Sequence, residues 1–327
     1  MKKILLYFFI FLLVSCSVDL LSQQGESGYK KVSITRDKDI ITEPVTEKVR
    51  EVPKDIPGKE TNYDIDINIP VSGKRHSNRY ALIIGNEDYH SFQTAMSNEI
   101  NVEYAERDAE LFRQYALKTI GIPEENILFK INAGHIEMKL MFQKINLIMK
   151  HSGAEAEVFV YYSGHGFPDL ATKIPYLIPV DVSASDLQYG LKLEDIYRDL
   201  AEYPGKRVTV FLDACFSGGG RNIGLLAARG IKIKPRVEPV SGNLVVFCAS
   251  SEDQSALPYK DKKHGLFTYY LLKKIQETRG EVTYSELSEY LQKNVPIKSI
   301  MMNNLEQTPE VNISQRLGDK WKNWNLK

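Results

Sequence analysis

The sequence predicts an α/β fold with a mostly parallel central sheet covered by helices on both faces. Short apolar runs recur at 80–85, 126–130, 158–162, 208–212 and 244–248. Stretches of helical periodicity separate most of them, which is the βαβ pattern of a parallel sheet. Two glycine-containing motifs directly follow apolar runs: Tyr161-Tyr162-Ser163-Gly164-His165-Gly166 and Asp213-Ala214-Cys215-Phe216-Ser217-Gly218. Both fall at strand carboxyl ends, where open α/β sheets bind ligands.

Lys2 and Lys3 precede an apolar run from Ile4 to Val14, the n- and h-regions of a signal peptide over 1–15. The run is short for a membrane span. It ends Leu13-Val14-Ser15-Cys16, which resembles a bacterial lipobox. That resemblance implies cleavage before Cys16, lipidation of its thiol, and an exported protein anchored on the periplasmic or cell-surface side of a bacterial membrane. The alternative is a plain secretory signal with an incidental Cys16. Residues 16–77 are polar and carry Pro44, Pro53, Pro57 and Pro70, as a flexible tether does. The alternation Ile65-Asp66-Ile67-Asn68-Ile69 also allows a short docking strand.

The folded domain is expected over 78–314, with 315–327 as a C-terminal tail. After strand 80–85, a helix is expected over 101–118, capped by Asn101, with Val102, Ala105, Ala109, Phe112 and Ala116 on one face and Gly121 closing it. Strand 126–130, helix 136–150 and the strand ending at Ser163 follow. Helix 191–202 leads into the strand before Asp213. Strand 244–248 and helices 266–278 and 284–294 complete the pattern.

The composition is that of a protein with a real core: 327 residues, 43% hydrophobic and 26% charged. Lys+Arg and Asp+Glu both total 42, and no basic stripe interleaves with aromatics, so nucleic acid is not an expected partner. Of the three cysteines, Cys16 has the lipid role and Cys248 lies in an apolar strand as a small core residue. The histidines show no metal-ligand spacing, and no metal site is expected.

If the strands before His165 and Cys215 are neighbours, their ends lie about 5 Å apart. A thiol beside an imidazole makes a cysteine-nucleophile site. The thiol needs a base, and His165 can take its proton and later return one to a leaving amine. Gly164 and Gly166 allow close approach of a substrate. Asp213, two residues before Cys215, points to the same side. Ser250 and Ser251 follow the fifth strand. The long loop 216–243 carries Arg221, Arg229, Lys232, Lys234 and Arg236.

Together these motifs resemble the caspase-like peptidases, and among them the bacterial metacaspase-like group. The likeness runs from about Arg79 to Val311. It includes Ala81-Leu82-Ile83-Ile84-Gly85-Asn86, Ala105-Glu106-Arg107-Asp108-Ala109, both glycine motifs and Tyr176-Leu177-Ile178-Pro179-Val180-Asp181. Ala249-Ser250-Ser251, Gly265-Leu266-Phe267-Thr268 and Gln307-Thr308-Pro309 continue it. The separation of about 50 residues between His165 and Cys215 also suits a caspase.

The resemblance implies a caspase-like three-layer α/β/α sandwich, with His165 and Cys215 as catalytic dyad and the N–H groups of Gly166 and Cys215 as oxyanion hole. It makes Asp213 and Asp108 the acids of a pocket for Arg or Lys before the scissile bond, with Ser250 lining the cleft. The partners are then protein or peptide substrates with a basic P1 residue. No cofactor is required. Calcium activates many metacaspases, and Asp181 and Asp195 are the acids to inspect, although Asn222 stands where another acid would be sought. The loop after Cys215 is where such enzymes are processed. Phe216 departs from the family, where many metacaspases have His. The competing expectations are a caspase-fold scaffold that binds without cleaving, and a transpeptidase using the same dyad.

Overall fold

In a computed structural model, residues 63–93, 101–183, 186–217, 234–251 and 254–327 are described, and they belong to one compact unit. The signal segment, Cys16, the tether up to residue 62, and Arg221, Asn222, Arg229 and Lys232 lie outside the described residues. Elements run in the order β1 (Arg79–Gly85), α1 (Ala105–Tyr115), β2 (Ile127–Ile131), α2 (His135–Ser152) and β3 (Glu157–Ser163). Next come β4 (Gly166–Pro168), β5 (Pro175–Leu177), β6 (Leu191–Lys192), α3 (Leu193–Glu202), β7 (Arg207–Asp213) and β8 (Leu244–Cys248). β9 (Pro258–Tyr259), β10 (His264–Gly265), α4 (Leu266–Glu277), α5 (Tyr284–Asn303) and β11 (Glu310–Ile313) complete the described chain.

Successive strand residues point to opposite faces, and the core divides accordingly. Ala81, Ile83, Phe159, Tyr161, Phe211 and Phe247 pack against α1, α4 and α5. Leu82, Ile84, Val160, Tyr162, Val210 and Val246 pack against α2 and α3. The result is a three-layer α/β/α sandwich. Its central sheet has the order β11-β8-β7-β3-β1-β2, parallel throughout except for the antiparallel edge strand β11. A small antiparallel sheet, β4-β5-β6, stands beside it.

At the amino ends of β1, β3 and β7, Glu157 is 3% exposed and is held by Arg79 at 2.9 Å, Arg207 at 2.7 Å and Lys206 at 2.7 Å. Burial alone would raise its carboxyl, but the Arg207 charge, with Lys206 and Arg79, holds it down at about 2.

Four expectations are corrected. Helix α1 starts at Ala105 rather than near Asn101: Asn101 accepts the His90 N–H at 2.9 Å, and Glu87 takes the Glu106 N–H at 3.0 Å in its place. Helix α5 passes through Pro296 to Asn303, because Leu291, Val295 and Ser299 keep one face buried across the proline. The folded body begins before residue 78. Ile65 is fully buried, Asp64 pairs with Lys262 and Lys273, and Asp66 pairs with Arg107, yet 63–70 forms no strand. The segment 315–327 is built into the body: Trp321 and Leu326 are buried, and Arg79 and Arg207 donate to the carbonyls of Leu326 and Asn325. These last two segments are too short to show a core periodicity, and their few apolar residues complete a core supplied elsewhere. Among the described residues no helix is long and apolar enough to cross a membrane.

Candidate active site

β3 and β7 are direct neighbours, with Ser163 opposite Asp213. Continuing two residues along each chain reaches His165 and Cys215. Both line one narrow cleft, together with Asp213, Gly164, Val102 and Ala256. All three chemical groups are covered: Cys215 is 3% exposed, His165 4% and Asp213 1%.

The loop carrying His165 is held by tyrosines. The Tyr89 ring stands 4.4 Å from the His165 ring, and its hydroxyl accepts the His165 backbone N–H at 2.9 Å. Tyr162 Oη donates to the His165 carbonyl at 2.8 Å. Its complete burial pushes the phenol well above the ordinary range, so it stays a donor. Tyr89 lies 76 residues before His165, and no periodicity or motif signals its role.

Phe216 packs across Gly166. A Cβ on Gly166 would fall 2.6 Å from the Phe216 ring and 2.9 Å from the Cys215 carbonyl. Gly166 is therefore required for close approach of the two motif loops. Phe216 also joins the core on the α2–α3 side. With Ser250, it lines a second pocket whose wall includes Leu193, Tyr197 and Glu310.

The two acids meet the amino-terminal turn of α4 rather than open solvent. Asp213 Oδ2 accepts from Thr268 Oγ1 at 2.6 Å and from the Thr268 N–H at 3.3 Å. Asp108, fully buried, accepts the Gly265 N–H at 2.8 Å and faces His264 Nδ1 at 2.7 Å. Asp66 approaches His264 Nε2 at 3.1 Å from the other side. Burial opposes charge on this imidazole, but the two carboxylates outweigh it and raise its pKa. Asp213 lines the cleft and Asp108 does not; His264 stands against Asp108.

Around the thiol, Cys215 Sγ lies 3.0 Å from Ser217 Oγ and donates to the Gln254 carbonyl at 3.5 Å. Ser217 and Ser250 hydroxyls each donate to that carbonyl at 3.2 Å. Ser250 thus reaches the site through Gln254. Sequence reasoning missed Ser217, although it sits inside the nucleophile motif, and Gln254, which acts through its main chain and so leaves no side-chain signal.

Cys248 is a buried thiol of β8, pushed up to about 12 by its burial. Asp181 accepts the His135 N–H at 2.7 Å at the start of α2, and Asp195 pairs with Arg198 at 2.5 Å. Among the described residues no group of three or more His, Cys, Asp or Glu side chains is placed to hold a metal ion.

The model of the caspase domain, peptidase family C14, matches residues 78–319. No curated protein sequence matches the chain. Among solved structures, protein GSU0716 from Geobacter sulfurreducens superposes with a TM-score of 0.53 at 16% identity, over 76% of this chain and 97% of that one. Caspase-1 from Spodoptera frugiperda gives a TM-score of 0.48 at 16% identity, over 75% and 90%. With the family match spanning more than half of its length, the chain belongs to the caspase-domain family of cysteine peptidases.

Proposed function

We propose that the protein is a cysteine-type endopeptidase that cleaves after Arg or Lys, with Cys215 as nucleophile and His165 as general base and acid. One observation carries this reading: strands β3 and β7 are paired in register, and His165, Asp213 and Cys215 line the same cleft. The Cys215 thiolate attacks the scissile carbonyl, and His165 gives its proton to the departing amine. Water then hydrolyses the thioester, with His165 as base. The N–H groups of Gly166 and Cys215 receive the oxyanion, each donor contributing about 3 kcal/mol of transition-state stabilisation.

Asp213 is the acid that meets a basic P1 side chain. Asp108 is its second partner once His264 gives way. Ser250, through its hydrogen bond to the Gln254 carbonyl, is the residue at the edge of the site that an incoming substrate would meet. Lipidation of Cys16 would hold the enzyme on an exported membrane face, and metabolic labelling with a palmitate analogue, compared with Cys16→Ala, tests that anchor.

The activity is tested with two fluorogenic peptides differing only at P1, Arg or Asp, each with calcium and with chelator, beside Cys215→Ala. Cleavage of the Arg peptide alone, lost in the variant, is the expected result. Cleavage after Asp would retain the dyad and overturn the acidic pocket. Added amine nucleophiles that divert the acyl group would indicate transpeptidation.

A further inference from the structure

The Gln307-Thr308-Pro309 stretch takes no part in the chemistry above, yet Gln307 is fully buried. Its side-chain amide joins two points of the chain that follows β8. Nε2 donates to the Ala249 carbonyl at 2.9 Å, and Oε1 accepts the Leu257 N–H at 2.8 Å. The Gln307 N–H is itself held by Ser299 Oγ of α5 at 3.0 Å. The next N–H, that of Thr308, donates to Gln254 Oε1 at 2.6 Å, where Ser251 Oγ also donates at 3.2 Å.

These bonds fix where the Gln254 carbonyl stands, and it stands over the thiol, accepting from Cys215, Ser217 and Ser250. Ala256, from the same short segment, lines the cleft. A carbonyl oxygen can only accept, so this contact suits an S–H donor and offers nothing to a thiolate, the nucleophilic form. It also blocks approach, since an attacked carbonyl must come within about 3–3.5 Å of the sulfur.

We propose that Gln254 and Gln307 are positioning residues that latch the segment Gln254–Leu257 over Cys215, and that release of this latch sets access to the thiol. The inference rests on the reading of Cys215 as the nucleophile. An extended peptide brings its own N–H and C=O groups, which can take over the hydrogen bonds that Ser217 and Ser250 give to the Gln254 carbonyl. Substrate binding and latch release are then one exchange of hydrogen bonds.

The test is the rate of iodoacetamide labelling of the full chain under native conditions, resolved by peptide mass spectrometry. Cys248, buried in β8, is the internal reference for general loosening. Gln254→Ala removes the acceptor for the Thr308 N–H and the Ser251 hydroxyl. The hydroxyl can turn to water, and loss of the Thr308 bond, worth about 1 kcal/mol, raises Cys215 labelling about fivefold, with Cys248 unchanged. Gln254→Glu keeps an acceptor oxygen and restores the slow rate. Gln307→Ala, which leaves the buried Ala249 carbonyl and Leu257 N–H without their partner, gives a larger rise than Gln254→Ala. If that variant does not fold, the Gln254 pair decides alone. An unchanged Cys215 rate in Gln254→Ala, or parallel rises at Cys215 and Cys248, would overturn the latch. Labelling needs no turnover, so an inactive peptidase and a missing latch give different results.

Discussion

The two ends of strands β1, β3 and β7 carry opposite electrostatic arrangements on one backbone. At the amino end, a single buried carboxylate, Glu157, is met by Arg79, Arg207 and Lys206. At the carboxyl end, Cys215, Ser217 and Ser250 share one carbonyl through weak or neutral contacts, and Asp213 is bound by a threonine. Full charge pairing in a dry interior is costly to break from one side. Hydroxyl and thiol contacts can be exchanged for those of a substrate at little net cost. One end therefore fixes the register of the three strands, and the other stays open to rearrangement.

The sharpest way to break this contrast is to remove charge or chemistry from each end in turn. Replacing His165 by Ala should lower peptide turnover by roughly 10²–10⁴-fold, far more than the modest loss of stability from emptying its place beside Tyr89 accounts for. Glu157→Gln should do the reverse. It strips a buried ion cluster of its only acid among the described residues and should cost about 3–5 kcal/mol in denaturant unfolding, with turnover per folded molecule retained. A Glu157→Gln protein of unchanged stability would show that the cluster does not tie the strands.

Gly166→Ala sharpens the comparison from the other side. The added methyl meets Phe216 and the Cys215 carbonyl, so overpacking of about 1–3 kcal/mol is expected, with slower turnover. A smaller residue at Phe216 in the double variant should restore part of the stability, as a thermal-melt series would show.

The acid limb of stability should report the amino end. Glu157 is depressed from 4.5 to about 2, so its contribution is present above pH 4.5 and is lost as pH falls towards 2. That slope should vanish in Glu157→Gln. The smallest effect belongs to His264, whose pKa is raised above 6.5. Its stabilisation is complete below 6.5 and fades as pH rises through the folded value. His264→Asn should flatten this slope in melting curves taken across neutral to alkaline pH.

Some of this was legible in the chain. The five parallel strands fall where the apolar runs placed them, and the motif spacing named the two residues that share the cleft. Edge strand β11 and the short strands β4–β6 were not foreseen, because two- to four-residue strands carry too little periodicity to register. The packing of 63–77 and 315–327 was equally hidden: a single buried Ile65 or Leu326 has no pattern of its own.

What the sequence determined by itself was therefore local. Apolar runs must be buried, glycines mark close backbone approach, and a cysteine and histidine at strand ends bring reactive groups to one sheet edge. Only the tertiary structure decided which partners those groups meet. Tyr89 against His165, His264 against Asp108, Gln307 across Ala249 and Leu257, and the Gln254 carbonyl over Cys215 are pairings of residues remote in sequence. Hydrogen bonds reach only about 3 Å, so such pairings are fixed by the packing of the three layers and leave no periodic trace along the chain.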